Sequence, residues 1–200
     1  MSQLDLLSRL GVYIERGFLP ADQCRLLSRE MAASAGEPGV LLQKDDAALV
    51  DPDTKRLTQI HVSDAQCADV TQKLDALAPK LARHFGAELA SHEGATFYRY
   101  DEGDFYLAHR DRHDATADAV VGHRRRVSIV LFLNAPAGSE LSYAGGDLVL
   151  YDLLADKKLS EYGLPVAAEA GLLVAFDPQL RHEVTRVTSG ARCVAVSRFF

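Results

Sequence analysis

Three cysteines, Cys24, Cys67 and Cys193, are all that 200 residues contain. An odd number without paired spacing argues against a disulfide framework and predicts free thiols in a reducing, cytoplasmic compartment. No apolar run approaches the roughly 20 residues needed to span a bilayer. The start, Met1-Ser2-Gln3-Leu4-Asp5, has no basic segment leading into an apolar stretch, so no secretory signal is expected. Positive charge is also short, with 22 basic against 28 acidic residues and a net charge of -6. That leaves no broad basic surface to neutralise phosphates, so neither nucleic acid nor an anionic membrane is expected as a partner. Repeats, low-complexity tracts and linkers are missing too. What is present is ordinary globular composition, 48% hydrophobic and 25% charged. The length suits one buried core and one domain over residues 1–200.

The first half reads helical and the second half reads as strands. Gly11-Val12-Tyr13-Ile14 predicts a short strand, and Pro20 suits the first turn of a following helix, where a missing N–H costs nothing. Cys24, Leu27 and Met31 share one face of that helix. Residues 36–53, rich in Gly, Pro and Asp, read as loop, and 57–62 as a strand. Ser63 with Gln66 is a capping-box signature. Behind it Val70, Leu74, Leu77, Leu81 and Phe85 mark an amphipathic helix ending near Gly86. Pro79 is expected to kink or split it near Ala78. From Ala95 the period becomes two, with Thr96, Tyr98 and Tyr100 on one strand face. Further strands are predicted over 126–133, 147–151, 171–176 and 193–200, which suggests a sandwich or barrel buttressed by the N-terminal helices.

His109-Arg110-Asp111 is the first chemical signal. Residues two apart on extended chain point the same way, so an imidazole and a carboxylate can meet at one cation. His182, just after the 171–176 run, is the best third ligand. Two imidazoles and one carboxylate on one side of an ion leave the other side open, the arrangement of non-haem Fe(II) oxygenases. Arg192 follows His182 by ten residues across Thr188-Ser189-Gly190. A hairpin there is expected to return the chain and set Arg192 beside the metal, where a guanidinium is a natural anchor for the far end of a dicarboxylate.

These residues resemble the 2-oxoglutarate- and Fe(II)-dependent dioxygenases, in the prolyl 4-hydroxylase-like branch. The matching stretches are Tyr100 to Asp111, Leu131-Phe132-Leu133-Asn134, Gly145-Gly146-Asp147-Leu148, His182-Glu183-Val184 and Gly190-Ala191-Arg192, in that order. An isolated His-x-Asp is weak; the ordered set is specific. The resemblance implies a double-stranded β-helix, a jelly-roll relative of the cupins, over 95–200, with 1–94 giving helical support and the first strands. It implies that His109, Asp111 and His182 hold Fe(II) and that Arg192 binds the distal carboxylate of 2-oxoglutarate. Tyr100, and Ser128 on the inward side of its strand, are implied donors to the cosubstrate. O2 is the second cosubstrate, and ascorbate an auxiliary. The implied reaction hydroxylates an unactivated C–H of a prolyl-type protein residue or of a small molecule, turning 2-oxoglutarate into succinate.

Two positions depart from the pattern. Phe132 stands where some relatives carry a tyrosine that bonds the cosubstrate. Arg198 shares a strand face with Arg192 where relatives often place tryptophan, and reads as a substrate residue favouring an anionic group, against a plain reading as a solvated arginine near the chain end. Arg192 and Arg198 are similar also to the arginine pair of nucleic-acid dealkylating dioxygenases, but the ten-residue spacing and the acidic charge favour the hydroxylase branch. Tyr106 reads equally as pocket lining or core. His113 competes weakly as a ligand, and 123–126 reads as a solvated basic strand edge. His61, His84 and His92 have no partner pattern. Gly145-Gly146 reads as a tight turn into a strand, and the polar segment 112–122 as a candidate lid. Two rival functions remain: a cupin-like binding module without catalysis, and a Zn-dependent hydrolase or isomerase on the same triad. Oligomeric state has no signal in the sequence.

Overall fold

The computed structural model describes residues 2–42, 48–112, 124–137, 141–154 and 157–200. The first half contains α1 (Gln3–Arg9), β1 (Tyr13–Glu15), α2 (Ala21–Ala33), β2 (Glu37–Pro38), β3 (Leu41–Leu42), β4 (Ala48–Leu49), β5 (Lys55–Arg56), β6 (Thr58–Ile60) and α3 (Asp64–Phe85). The second half follows with β7 (Thr96–Tyr100), β8 (Phe105–His109), β9 (Val127–Phe132), β10 (Ala144–Gly145), β11 (Leu148–Leu150) and β12 (Leu164–Pro165). It ends with β13 (Leu173–Phe176), β14 (His182–Val184), β15 (Val187–Ser189) and β16 (Arg192–Phe199). The expected lid over 112–122 lies outside the described residues apart from Arg112, as do His113 and His123.

Two antiparallel sheets form a double-stranded β-helix. The larger runs β1-β13-β9-β16-β7-β6-β2 and the smaller β12-β11-β14-β8-β5. Strand alternation decides what each face of the larger sheet meets. Ile129 and Leu131 of β9 and Cys193 and Ala195 of β16 face a cluster made with Leu27 and Met31 of α2 and Leu74, Leu77 and Leu81 of α3. Val130 and Phe132 of β9 and Val194 of β16 turn the other way, against Leu148, Leu150 and Val184 of the smaller sheet. All six residues of β9 are buried because both of its faces are covered. The inner cluster is where the functional side chains enter.

The helices follow their sequence signals with three differences. Ser63 and Gln66 form the capping box of α3, and Gly86 ends it in the left-handed conformation, φ 61°. Pro79 neither splits nor ends that helix, which runs unbroken from Asp64 to Phe85. The ring lies on the exposed side of the helix, away from the core. Pro20 is the N-cap of α2 rather than its first residue. Helix α1 was not expected from the sequence; it starts on a capping box of Ser2 and Asp5 and buries Leu4 and Leu7, three residues apart, in the inner cluster.

The strands differ in two places. Residues 36–53 hold the short strands β2, β3 and β4, of which β2 joins the larger sheet through β6. The expected hairpin before Arg192 does not form. β14 belongs to the smaller sheet, β15 pairs with β10, and β16 pairs with β7 and β9 of the larger sheet. The turn at Gly190 therefore carries the chain from one sheet to the other.

Candidate metal centre and cavity

His109 ends β8 and His182 begins β14, and the two are cross-strand partners in the smaller sheet. Their ring centroids lie 4.2 Å apart. Asp111 follows just beyond β8, where its N–H donates to the Pro178 carbonyl at 2.9 Å. Its Oδ1 lies 3.9 Å from His109 Nε2 and its Oδ2 3.8 Å from His182 Nε2. One ligand atom from each residue falls within 4.8 Å of the others.

The backbone sets the tautomer of each imidazole. His109 Nδ1 meets the Leu107 carbonyl at 2.8 Å and His182 Nδ1 the Leu180 carbonyl at 2.9 Å. A carbonyl only accepts, so each Nδ1 carries the proton and each Nε2 presents a lone pair to the cluster. Burial, reinforced by the neighbouring His182, holds His109 well below the usual imidazole range, and burial lowers His182 as well. Burial opposes ionisation of Asp111, but Arg198 and the two imidazoles outweigh it and hold the carboxyl well below its usual range. Two neutral nitrogen donors and a carboxylate are the donor set that suits Fe(II) with open positions.

The surroundings fix Asp111 further. Ser128 Oγ donates to Asp111 Oδ2 at 2.7 Å, and Arg198 Nη2 donates to Oδ1 at 3.0 Å. Arg125 donates to the Asp111 backbone carbonyl at 2.9 Å and to Glu93 at 2.7 Å, and Arg198 also lies 3.6 Å from Glu93. Two expectations change here. The Ser128 hydroxyl is engaged by the carboxylate rather than open to a cosubstrate. Arg198 is neither solvated nor a free cation, because its side chain is 18% exposed and two carboxylates flank it. Glu93 and Arg125 were invisible in the sequence, since a single acid and one member of an arginine run carry no spacing.

Arg192 begins β16, opposite Tyr100 of β7, and lines the same cavity as the three clustered residues. It is 1% exposed; among the described residues neither its Nε nor its two Nη atoms has a hydrogen-bond partner, and the Tyr143 phenol lies beside it. The guanidinium lies between the rings of Tyr100 at 5.0 Å and Phe132 at 5.2 Å. Phe132 therefore supplies a face to Arg192 where a tyrosine would have supplied a hydroxyl. Gly146 makes the room: its φ is 64°, and a Cβ there would sit 3.0 Å from Arg192 Cδ. A buried guanidinium with idle donors costs several kcal/mol unless an anion completes it. That orphaned fork fits the distal carboxylate of 2-oxoglutarate, as the donor set beside it fits the metal.

Tyr106 stacks on His109, centroids 3.5 Å apart and planes 15° off parallel, so it both packs and lines the cavity. Burial raises the Tyr100 and Tyr106 phenols well above their usual range and keeps them protonated donors. Lys55 of β5 was not foreseen. It pairs with Tyr106 across the sheet, is 7% exposed, and lines the cavity. Among the described residues, His61, His84 and His92 lie outside the cavity lining. His92, half-buried, contacts Asp75 Oδ1 and Ser197 Oγ and accepts from the Gly94 N–H, which ties α3 to β16.

Comparison with known proteins bears on the same region. The profile of the 2OG-Fe(II) oxygenase superfamily matches residues 95–200. A PKHD-type hydroxylase of Acaryochloris marina is 40% identical over 100 residues, half of this chain but 38% of that protein. A Pseudomonas putida prolyl-4-hydroxylase superposes with a TM-score of 0.68 at 23% identity, covering 98% of this chain and 95% of that one. A Trichoplax adhaerens prolyl hydroxylase, solved with a hypoxia inducible factor peptide fragment, gives 0.67 at 16% identity, covering 98% and 86%. At these identities the two structures speak to the fold.

Proposed function

Since the chain belongs to the 2OG-Fe(II) oxygenase superfamily, we propose that it hydroxylates an unactivated C–H of a prolyl-type residue in a protein, or of a small molecule, and converts 2-oxoglutarate to succinate as it does so. The observation that carries this reading is Arg192, a fully buried guanidinium without a hydrogen-bond partner among the described residues, in the cavity of the His-Asp-His cluster. A hydrolytic or purely structural metal site has no need of such an anchor.

His109, Asp111 and His182 would hold Fe(II), and Arg192 would hold the distal carboxylate of 2-oxoglutarate. Bound together, the ion and the keto acid would activate O2, the oxidant, with one of its oxygen atoms going to succinate as CO2 is lost and the other to the C–H bond. The residues of the chain do the rest. The Leu107 and Leu180 carbonyls keep the Nε2 lone pairs facing inward. Ser128 and Arg198 fix the rotamer and charge of Asp111. Tyr100 and Tyr106, held protonated, offer donors to the bound acids, and the apolar walls Leu148, Val184 and Val194 exclude water. No helix among the described residues is long and apolar enough to cross a membrane. The three free cysteines accord with a reducing, cytoplasmic setting.

Succinate formation is the test. The protein is expected to release succinate from 2-oxoglutarate only with Fe(II) and O2, faster when a substrate is added and with ascorbate as auxiliary. Arg192→Met is expected to raise the KM for 2-oxoglutarate at least a hundredfold, through loss of a bidentate contact to a carboxylate. Thermal unfolding gives a second readout: 2-oxoglutarate raises the Tm of wild type but not of Arg192→Met. Succinate formation supported by neither metal nor O2 dependence, or hydrolytic activity with Zn2+, would replace this reading.

A further inference from the structure

Three cationic side chains line the cavity among the described residues: Arg192, Arg198 and Lys55. Arg198 is neutralised by Asp111 and Glu93. Arg192 has its ligand in the function proposed above. Lys55 has neither. Its Nζ donates to the Val40 carbonyl at 2.8 Å and lies 5.1 Å from the Tyr98 ring and 4.9 Å from the Tyr106 ring. Among the described residues no carboxylate forms an ion pair with it. A carbonyl and two ring faces compensate a buried ammonium only in part. Burial, with Arg198 adding repulsion, lowers its pKa to about 8, so the amine still carries its charge at neutral pH.

Its position gives the charge a purpose. Lys55 pairs with Tyr106, and Tyr106 stacks on His109, so the ammonium sits one ring away from the metal cluster. It belongs to the smaller sheet, whereas Arg192 belongs to the larger. Lys55 sits with the partly exposed Tyr98 and Tyr106 of the cavity lining, whereas Arg192 is 1% exposed beside Tyr100 and Phe132. The ammonium lies over the faces of the two rings, whose phenols stay protonated because burial raises both. With only a carbonyl and two ring faces beside it, this single positive charge matches the single charge of a carboxylate and leaves the second charge of a phosphate uncompensated. We propose that Lys55 binds a carboxylate of the substrate. This rests on the oxygenase reading and names the chemistry the substrate must bring. The carboxylate comes from a free organic acid or from an acidic side chain in a peptide.

The test uses the full chain loaded with Zn(II) and 2-oxoglutarate, a diamagnetic ion that binds the cosubstrate without turnover and leaves nearby NMR signals sharp. Six lysines make the Lys55 side-chain NMR signals easy to assign by their loss in Lys55→Met. The probes are cyclopentanecarboxylate, its carboxamide, and N-acetylglutamate N-methylamide with its glutamine counterpart. The expected result is that a carboxylate shifts the Lys55 signal and its amide does not. Lys55→Met then weakens carboxylate binding at least tenfold with 2-oxoglutarate affinity within twofold of wild type, and Lys55→Arg restores part of the loss. Tighter binding of cyclopentanecarboxylate assigns the site to a free acid, and tighter binding of the glutamate probe to a peptide. A Lys55 signal unmoved by either carboxylate, or equal affinity in Lys55→Met, overturns the proposal while leaving 2-oxoglutarate binding intact. Failure of the wild type to bind 2-oxoglutarate at all overturns the oxygenase reading, and the substrate assignment with it.

Discussion

Asp111 shows how much of a metal site lies outside its ligands. One oxygen accepts from Ser128 and the other from Arg198, so the carboxylate is held by two side chains of the larger sheet while its own backbone extends from the smaller. Groups that orient a ligand in this way typically govern metal affinity by one to two orders of magnitude. Ser128→Ala is therefore expected to weaken Fe(II) or Mn(II) binding about 10- to 100-fold, read by metal titration, and to leave the far-UV spectrum unchanged. Wild-type metal affinity in that variant would show that Arg198 alone suffices. That His109, Asp111, His182 and Arg192 would come together was legible in the sequence, because the chemistry expected of them restricts residue type and order. Ser128 was legible only as an inward position. Lys55 and Glu93 were not legible at all: a lone lysine acquires meaning only when strand pairing and burial remove it from water, and a lone glutamate only when the fold sets Arg125 and Arg198 beside it.

Elements were legible where one face repeats and illegible where the question was which partner receives them. The spacing along α3 and its capping box located both of its ends. Pro79 misled because its ring falls on the solvent side, where the helix tolerates it. Pro79→Ala restores an N–H that can reach the Asp75 carbonyl, and is expected to raise stability by roughly 1–3 kcal/mol, measured by denaturant unfolding with the activity unchanged. The turn at Gly190 misled in a different way. Turn residues announce that the chain changes direction, not the sheet to which it goes, and here β14 and β16 belong to different sheets. The chain nonetheless delivers Arg192 to the cavity, because strand parity along β16 points it inward with Val194.

Taken whole, the molecule is acidic, with a net charge of -6, yet its interior cavity is lined by three cations. That inversion has a signature in the pH dependence of stability. The Lys55 amine ordinarily titrates at 10.5 and in the folded protein at about 8. Below about 8 both states carry the proton; between about 8 and 10.5 the unfolded chain binds it and the folded chain does not. Stability due to Lys55 therefore rises with pH through that window. Above 10 the buried phenols oppose it, since the unfolded chain releases protons that Tyr100 and Tyr106 retain when folded. The difference in unfolding free energy between wild type and Lys55→Met isolates the lysine, and is expected to shift in favour of wild type from pH 8 to pH 10. A flat difference over that range would mean that the amine keeps its ordinary basicity.

The division of the cavity between two sheets has a mechanical consequence. His109 and His182 are anchored in one layer and Arg192 in the other, so a keto acid that reaches from the ion to the guanidinium is a crosspiece bolted at both ends. Held as proposed, the cosubstrate would stiffen the whole sandwich, whereas the metal alone would tie the layers only through Asp111 and its partners Ser128 and Arg198.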